Sequence, residues 1–140
     1  DPLWSRGLGD VYKRQEELRV LVTGADTPID VEDLRRNTVY GGYHEKDMAV
    51  QYFWEALSSL DQASLKAFLR FVTSSPNPPL LGFSELNPKF AIRHAGDDIT
   101  RLPTASTCVN LLKLPAYNST AQCLEKVKYA IYSGAGFDLS

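Results

Sequence analysis

Hydrophobic residues recur at helical spacing in two consecutive stretches of the chain. In residues 46–60 they fall at positions i, i+3, i+4 and i+7, namely Val50, Phe53, Trp54 and Leu57. A second stretch begins at Asp61, a residue suited to cap a helix, and repeats the spacing with Leu65, Phe68, Leu69 and Val72. Such spacing gathers apolar side chains on one face of a helix. It predicts two amphipathic helices that pack as a hairpin with an aromatic seam.

Two further helices are indicated by their capping residues. Near the end of the chain, Ser119 and Gln122 have the spacing of a capping box. The helix that follows is expected to end at Gly134 and to bury a stripe formed by Leu124, Val127 and Ile131. Asp30 is expected to cap a short helix near the start of the folded region.

Two short strands are predicted from different patterns. Residues 89–94 alternate, with Phe90 and Ile92 on one side. Residues 109–114 form an apolar run between turn signals, which is typical of a short buried strand. Between the two, residues 95–100 form a polar turn, and residues 37–43, with two adjacent glycines, are expected to form a loop.

The start of the chain lacks a clear helical or strand period. Residues 10–15, with sequence DVYKRQ, resemble the translation of a transposase sequencing adapter. We therefore expect residues 1–15 to be a non-native or disordered leader and exclude them from the fold. Residues 16–23 suit a strand or the end of a short helix, and residues 24–28, with Gly24 and Pro28, are expected to form a hinge.

Composition narrows the classes of function. The chain has 140 residues and a formal net charge of −2, and it has no basic run of the kind that binds nucleic acid. It contains no apolar stretch near the roughly 18 residues that a membrane-spanning helix needs. Two cysteines do not make a disulfide framework, and free thiols fit a reducing compartment, so we expect the cytoplasm or the nucleus.

Cys108 is the main candidate for chemistry. Small and hydroxyl-bearing residues, 104–107, precede it, the apolar run follows it, and Pro103 and Pro115 bound the segment. We expect Cys108 on a loop that enters a strand, where a bulky partner could reach the sulfur. The alternative is a small buried hydrophobic residue, as many cysteines are, and Cys123 in the last helix is interpreted in that way.

Histidine and metal chemistry receive less support. A cysteine–histidine pair would need His44 or His94 beside Cys108, and His94 could approach from a neighbouring strand, although a surface histidine is the simpler interpretation. A zinc site needs four closely placed ligands, which two cysteines and two histidines scattered over the chain do not supply. We expect neither a metal nor another cofactor.

Residues 102–115, with sequence LPTASTCVNLLKLP, resemble the active-site segment of HECT-type ubiquitin ligases. Further parts of residues 16–140 are similar to that family, including the region after the hinge, Gly82 with Phe83, and the final GFDLS. The Ser106-Thr107-Cys108 form and this ending look most like the family's E-three-B/C subgroup. Many members have a histidine where Ser106 stands, which puts in doubt any role for an adjacent imidazole.

The resemblance implies a fold and an activity. Residues 29–140 would form the α+β C-terminal lobe, with helices packed on a small sheet, residues 24–28 the inter-lobe hinge, and residues 16–23 the end of the amino-terminal lobe. Cys108 would accept ubiquitin as a thioester from a conjugating enzyme and transfer it to lysines of protein substrates. The lobe that holds the conjugating enzyme would lie outside this chain.

The resemblance also suggests supporting residues. Thr107 and Asn110 could hydrogen-bond the thioester carbonyl or the ubiquitin tail, although Thr107 could equally pair with backbone. Phe137 stands fourth from the end, where the family has a phenylalanine implicated in transfer, and Asp138 could help to deprotonate the incoming lysine. The alternatives are a non-catalytic lobe that binds ubiquitin or a partner, and a cysteine hydrolase, which would lack a placed base.

Overall fold

The computed structural model describes residues 27–133. The expectations for residues 1–15 and 16–23, for most of the hinge, and for Gly134, Phe137 and Asp138 lie outside the described residues.

The described chain combines four α-helices with one mixed four-stranded sheet. The sheet has the order β1-β2-β4-β3, in which β1, β2 and β4 are parallel and β3 is antiparallel to β4. This arrangement confirms the expected α+β fold with helices on a small sheet. The elements are α1 (Val31–Arg36), β1 (Val39–Gly41), α2 (Met48–Ser58), α3 (Gln62–Thr73), β2 (Ala91–His94), β3 (Thr104–Ser106), β4 (Leu111–Leu114) and α4 (Thr120–Ser133).

The helices of the first two apolar stretches form as their patterns predict. All eight apolar residues of the predicted stripes in α2 and α3 are buried. Asp61 caps α3 by accepting a hydrogen bond from the backbone N–H of Ser64 at 2.8 Å, and the Asp30 carboxylate accepts from the first turn of α1. Helix α2 is shorter than its predicted stretch by two residues at each end.

The aromatic seam extends beyond a simple helical hairpin. The rings of Phe53 in α2 and Phe68 in α3 lie 5.9 Å apart, and Phe90 packs edge-on against both Trp54 and Phe68. The closest helical neighbour of α2, however, is α4 and not α3. The seam is therefore a cluster that joins two helices to the start of β2, with α4 closing the other side of α2.

Helix α4 presents a different face from the predicted one. The Ser119 hydroxyl accepts from Gln122 N–H at 3.1 Å, as in a capping box, while the Gln122 side chain accepts from Asn118 N–H at 2.8 Å. The fully buried stripe consists of Cys123, Val127 and Ala130, whereas the flanking predicted residues Leu124 and Ile131 are only partly buried. The small side chains of this stripe are compatible with the close packing of α4 on α2.

The sheet corrects one prediction and refines another. Residues 37–43 are not all loop, because Val39–Gly41 forms β1 and pairs in parallel with β2. Pairing with an existing strand outweighs the low strand propensity of glycine here, and Gly42 ends the strand with φ of +77°. Strand β2 begins at Ala91, two residues later than predicted, with Ile92 buried as expected.

No helix between residues 27 and 133 is long and apolar enough to cross a membrane.

Candidate functional site

Cys108 lies in a short 3₁₀ turn, Thr107–Val109, that joins the antiparallel strands β3 and β4. The prediction of a loop entering a strand is therefore only partly right, because Thr104–Ser106 forms strand β3. Ala105 and Ser106 of that strand are buried, and β3 packs against α3. The small residues before the thiol thus let β3 lie close to a helix, which fixes one side of the turn.

The Cys108 side chain is exposed to solvent. Its neighbour Val109 is 44% exposed, while Thr107 is half-buried. Both cysteines lie among the described residues, and neither forms a disulfide. The sulfur of Cys108 is therefore accessible to a large reaction partner.

Asn110 ends the turn in the left-handed conformation, with φ of 53° and ψ of 45°. Its side-chain Nδ2 donates to the carbonyl oxygen of Pro88 at 2.7 Å. Its own carbonyl oxygen accepts from the backbone N–H of Ala91 at 3.0 Å. The structure thus commits Asn110 to bonds with Pro88 and Ala91, and the loop at Pro88 is a part of the site that sequence reasoning missed. The Asn-Pro pair at residues 87–88 is a turn signal, but nothing in it indicates its distant partner.

The second thiol has the opposite environment. Cys123 is 0% exposed in α4, and burial raises its pKa from 9.0 to about 12. A thiol that keeps its proton and has no access to solvent is a poor nucleophile. The interpretation of Cys123 as a structural residue agrees with this environment.

Both histidines lie at the far end of the sheet from Cys108. His94 is in register with Leu114, while the Cys108 turn precedes Leu111, so the two lie at least roughly 10 Å apart along the strand direction. The His94 ring packs against Tyr43, and its Nδ1 accepts from Gly96 N–H at 2.9 Å. His44 follows the same end of β1 and accepts from Lys46 N–H. A cysteine–histidine pair at Cys108 is thus not formed among the described residues.

Cys108 is exposed to solvent and lines neither of two open clefts on the surface of residues 27–133. The larger, of about 550 Å³, lies between α3 and α4 and includes Lys66, Arg70 and Tyr132. The smaller, of about 370 Å³, includes Leu102 and Tyr129. Within the described residues no group of three or more histidine, cysteine, aspartate or glutamate side chains could hold a metal ion.

Comparison with known proteins identifies the family. Residues 12–140 match the model of the HECT-domain (ubiquitin-transferase) family. The chain is 54% identical to E3 ubiquitin-protein ligase HUL5 of Saccharomyces cerevisiae, over 89% of the chain and 14% of that protein. It is 46% identical to E3 ubiquitin-protein ligase UPL6 of Arabidopsis thaliana, over 90% of the chain and 13% of that protein. It is 41% identical to Ubiquitin-protein ligase E3B of Homo sapiens, over 89% of the chain and 14% of that protein.

These matches confirm the resemblance found in residues 102–115. The chain spans about one seventh of the length of each of these three relatives. The matching stretch includes the Cys108 turn and the sheet that carries it. The chain belongs to the HECT-domain (ubiquitin-transferase) family.

Proposed function

We propose that this chain is part of a ubiquitin-protein transferase and that Cys108 is its acceptor of ubiquitin. The observation that carries the proposal is the exposure of Cys108 on a turn that two strands hold in place, in a chain of this family. Three relatives with 41–54% identity are named ubiquitin-protein ligases, and we extend that activity to this protein.

The proposed reaction has two acyl transfers. In the first, the Cys108 thiolate attacks the thioester carbonyl that joins the ubiquitin C-terminus to a conjugating enzyme; a new C–S bond forms and the conjugating enzyme's thiolate leaves. In the second, a substrate lysine attacks the Cys108 thioester, an amide forms and the Cys108 thiolate leaves, while the amine proton passes to a base or to water. Attacking and leaving groups are both thiols in the first step, so it needs little acid catalysis.

The supporting residues have separate proposed roles. Thr107, next to the thiol, could donate its hydroxyl to the thioester carbonyl. Asp138 could accept the proton of the incoming lysine, and Phe137 could help to place the substrate for transfer. Asn110 is assigned a different role below, because its side-chain amide already donates to Pro88.

The open setting of Cys108 suits a protein substrate. A small-molecule enzyme usually encloses its ligand in a concave pocket, whereas Cys108 is exposed to solvent and lines neither of the two clefts described above. We infer that the conjugating enzyme and the protein substrates are held largely by parts of the protein beyond this chain, and that residues 24–28 connect the lobe to them. Residues 16–140 alone should therefore transfer ubiquitin to substrates poorly.

The two thiols fit a protein of the cytoplasm or the nucleus.

The test is a chimaera in which residues 16–140 replace the matching residues of yeast HUL5. With activating enzyme, conjugating enzyme and ubiquitin, it should form an adduct that a reducing agent removes. Cys108→Ala should abolish this adduct, whereas Cys123→Ala, the matched control, should retain it. Cys108→Ser should trap an oxyester that resists reduction.

Two outcomes would contradict the proposal. An adduct that survives Cys108→Ala would place the acceptor at another residue of the chimaera and not at Cys108. A folded chimaera that binds ubiquitin without forming any adduct, beside unaltered HUL5 that does form one, would favour a non-catalytic binding lobe.

A further inference from the structure

We propose that Asn110 is a positioning residue that holds the Cys108 turn against the loop at Pro88 and the start of strand β2. This inference rests on the proposed function, because it assigns the purpose of the bond network to the nucleophile Cys108. It differs from the sequence-based expectation that Asn110 hydrogen-bonds the thioester or the ubiquitin tail.

The backbone of Asn110 sets the direction in which the chain leaves the turn. Asn110 and Ser74 are the two non-glycine residues with positive φ among the described residues. Asparagine tolerates the left-handed region better than most residues, and it occurs here where the 3₁₀ turn must redirect the chain into β4. The conformation of this residue therefore decides where Cys108, two residues earlier, is presented.

The side chain of Asn110 attaches the turn to a distant part of the chain. Nδ2 donates to the carbonyl oxygen of Pro88, 22 residues away in sequence, at 2.7 Å. Asn110 is only 7% exposed, so water competes weakly for this bond. A buried amide N–H that already has a partner is poorly placed to reach a ubiquitin tail arriving from solvent.

The carbonyl group of Asn110 makes the second attachment. It accepts from the N–H of Ala91, the first residue of β2, at 3.0 Å. The two hydrogen bonds of Asn110 thus reach Pro88 and Ala91, the residues that flank Lys89 and Phe90. Phe90 packs in the aromatic cluster. The turn that carries Cys108 is in this way connected to the hydrophobic core through Asn110.

Two readouts test the inference, with three variants and a control. Asn110→Gly can still adopt the left-handed backbone conformation but lacks the side-chain amide. Asn110→Ala lacks the amide and also disfavours the left-handed conformation. In the 140-residue chain, the N–H of Ala91 should exchange with solvent at least about fivefold faster in both variants, because the turn is no longer held. In the HUL5 chimaera, the maximal rate of thioester formation should fall at least about tenfold, with the KM for the loaded conjugating enzyme changed by less than about twofold. Asn118→Ala, at an exposed loop asparagine, should change neither readout.

The third variant separates positioning from loss of stability. Asn110→Asp keeps the shape of the side chain and can donate to Pro88 only while its carboxyl group is protonated. The maximal rate of thioester formation in Asn110→Asp should therefore exceed that in Asn110→Gly at about pH 5 and fall below it at about pH 8. General destabilisation does not produce such a crossover.

The results that would overturn the inference are distinct. A fall in rate that arises from a higher KM, with Ala91 exchange unchanged, would show that Asn110 contacts ubiquitin directly. Unchanged rate and exchange in Asn110→Gly would show that the bonds do not position the turn. If Asn110→Ala does not fold, Asn110→Gly carries the test, since its backbone is unstrained. If the unsubstituted chimaera forms no adduct, the proposed function fails, and Ala91 exchange still decides whether Asn110 holds the turn.

Discussion

The two cysteines of the chain occupy environments that give the same side chain opposite chemistry. Cys108 is exposed to solvent in the turn that joins two paired strands. Cys123 faces the interior from α4, where burial raises its pKa to about 12. The comparison teaches that reactivity is set by the element that carries the thiol and by what that element packs against.

The surroundings of Cys123 favour neutral groups more generally. The Tyr43 hydroxyl donates to the carbonyl oxygen of Leu114 at 2.8 Å, and the Tyr117 hydroxyl donates to the carbonyl oxygen of Arg101. Burial raises the pKa of both phenols, with the neighbouring Cys123 adding to the effect. A charge on any of these groups would be costly, whereas the Cys108 turn lies at the solvent boundary.

The largest expected difference is in alkylation. With iodoacetamide at pH 7, Cys108 should react at least about a hundredfold faster than Cys123 in the folded chain. A rise in pKa from 9.0 to about 12 alone lowers the thiolate fraction of Cys123 by roughly a thousandfold, and burial blocks access as well. Peptide mass spectrometry over time measures both rates in one sample.

Denaturant provides the control for this measurement. In 6 M guanidinium chloride the two rates should converge to within about threefold, because the folded environments are lost. Comparable rates in the native chain would mean that α4 opens readily, and the contrast between the two thiols would then be wrong.

The next effect compares the exposed turn with the strand that supports it. Leu112→Ala in β4 should lower the free energy of unfolding by about 3 kcal/mol, because Leu112 is 1% exposed and its loss leaves a cavity. Val109→Ala in the turn should cost less than about 0.5 kcal/mol, since that side chain is largely in solvent. Urea unfolding followed by circular dichroism measures both. Equal losses in the free energy of unfolding would show that the Val109 side chain contributes to the core and that the turn is not a surface feature.

The difference between helices and strands explains what the sequence could predict. In α2 and α3 the apolar spacing runs over three turns, so burial of Val50, Phe53, Leu65 and Phe68 could be predicted from local pattern alone. Asp61 was likewise predictable as a cap, because the bond it makes spans only three residues.

Strands β1 and β3 and the support of the site lacked such local signals. β1 and β3 have three residues each, too few for a period, and each exists because a neighbouring strand pairs with it. Asn110 could be recognised beside Cys108, but its partner Pro88 lies 22 residues away. The buried face of α4 depends on how closely α2 approaches, which helical spacing does not contain.

The smallest effect concerns stability at alkaline pH. Above pH 9 an unfolded Cys123 releases its proton, whereas the folded chain retains it until about pH 12. The unfolded state then binds fewer protons than the folded state, so the stability that is present below pH 9 is lost as the pH rises from 9 towards 12. Ionisation of Cys123 should lower the free energy of unfolding by at most about 1.4 kcal/mol per pH unit.

A matched pair of variants isolates this contribution. Urea unfolding of Cys108→Ala, where Cys123 is the remaining thiol, is compared with that of the double variant Cys108→Ala/Cys123→Ala at pH 7 to 10.5. The two stability curves should run parallel below pH 9 and converge above it, because the double variant lacks the shielded thiol. Tyr43 and Tyr117 steepen both curves at the upper end, since burial, the larger cause of their raised pKa, is present in both variants; the smaller contribution of Cys123 to that rise is present only in Cys108→Ala. Curves that stay parallel to pH 10.5 would show that the fold does not protect Cys123 from ionisation, and the two thiols would then differ in exposure alone.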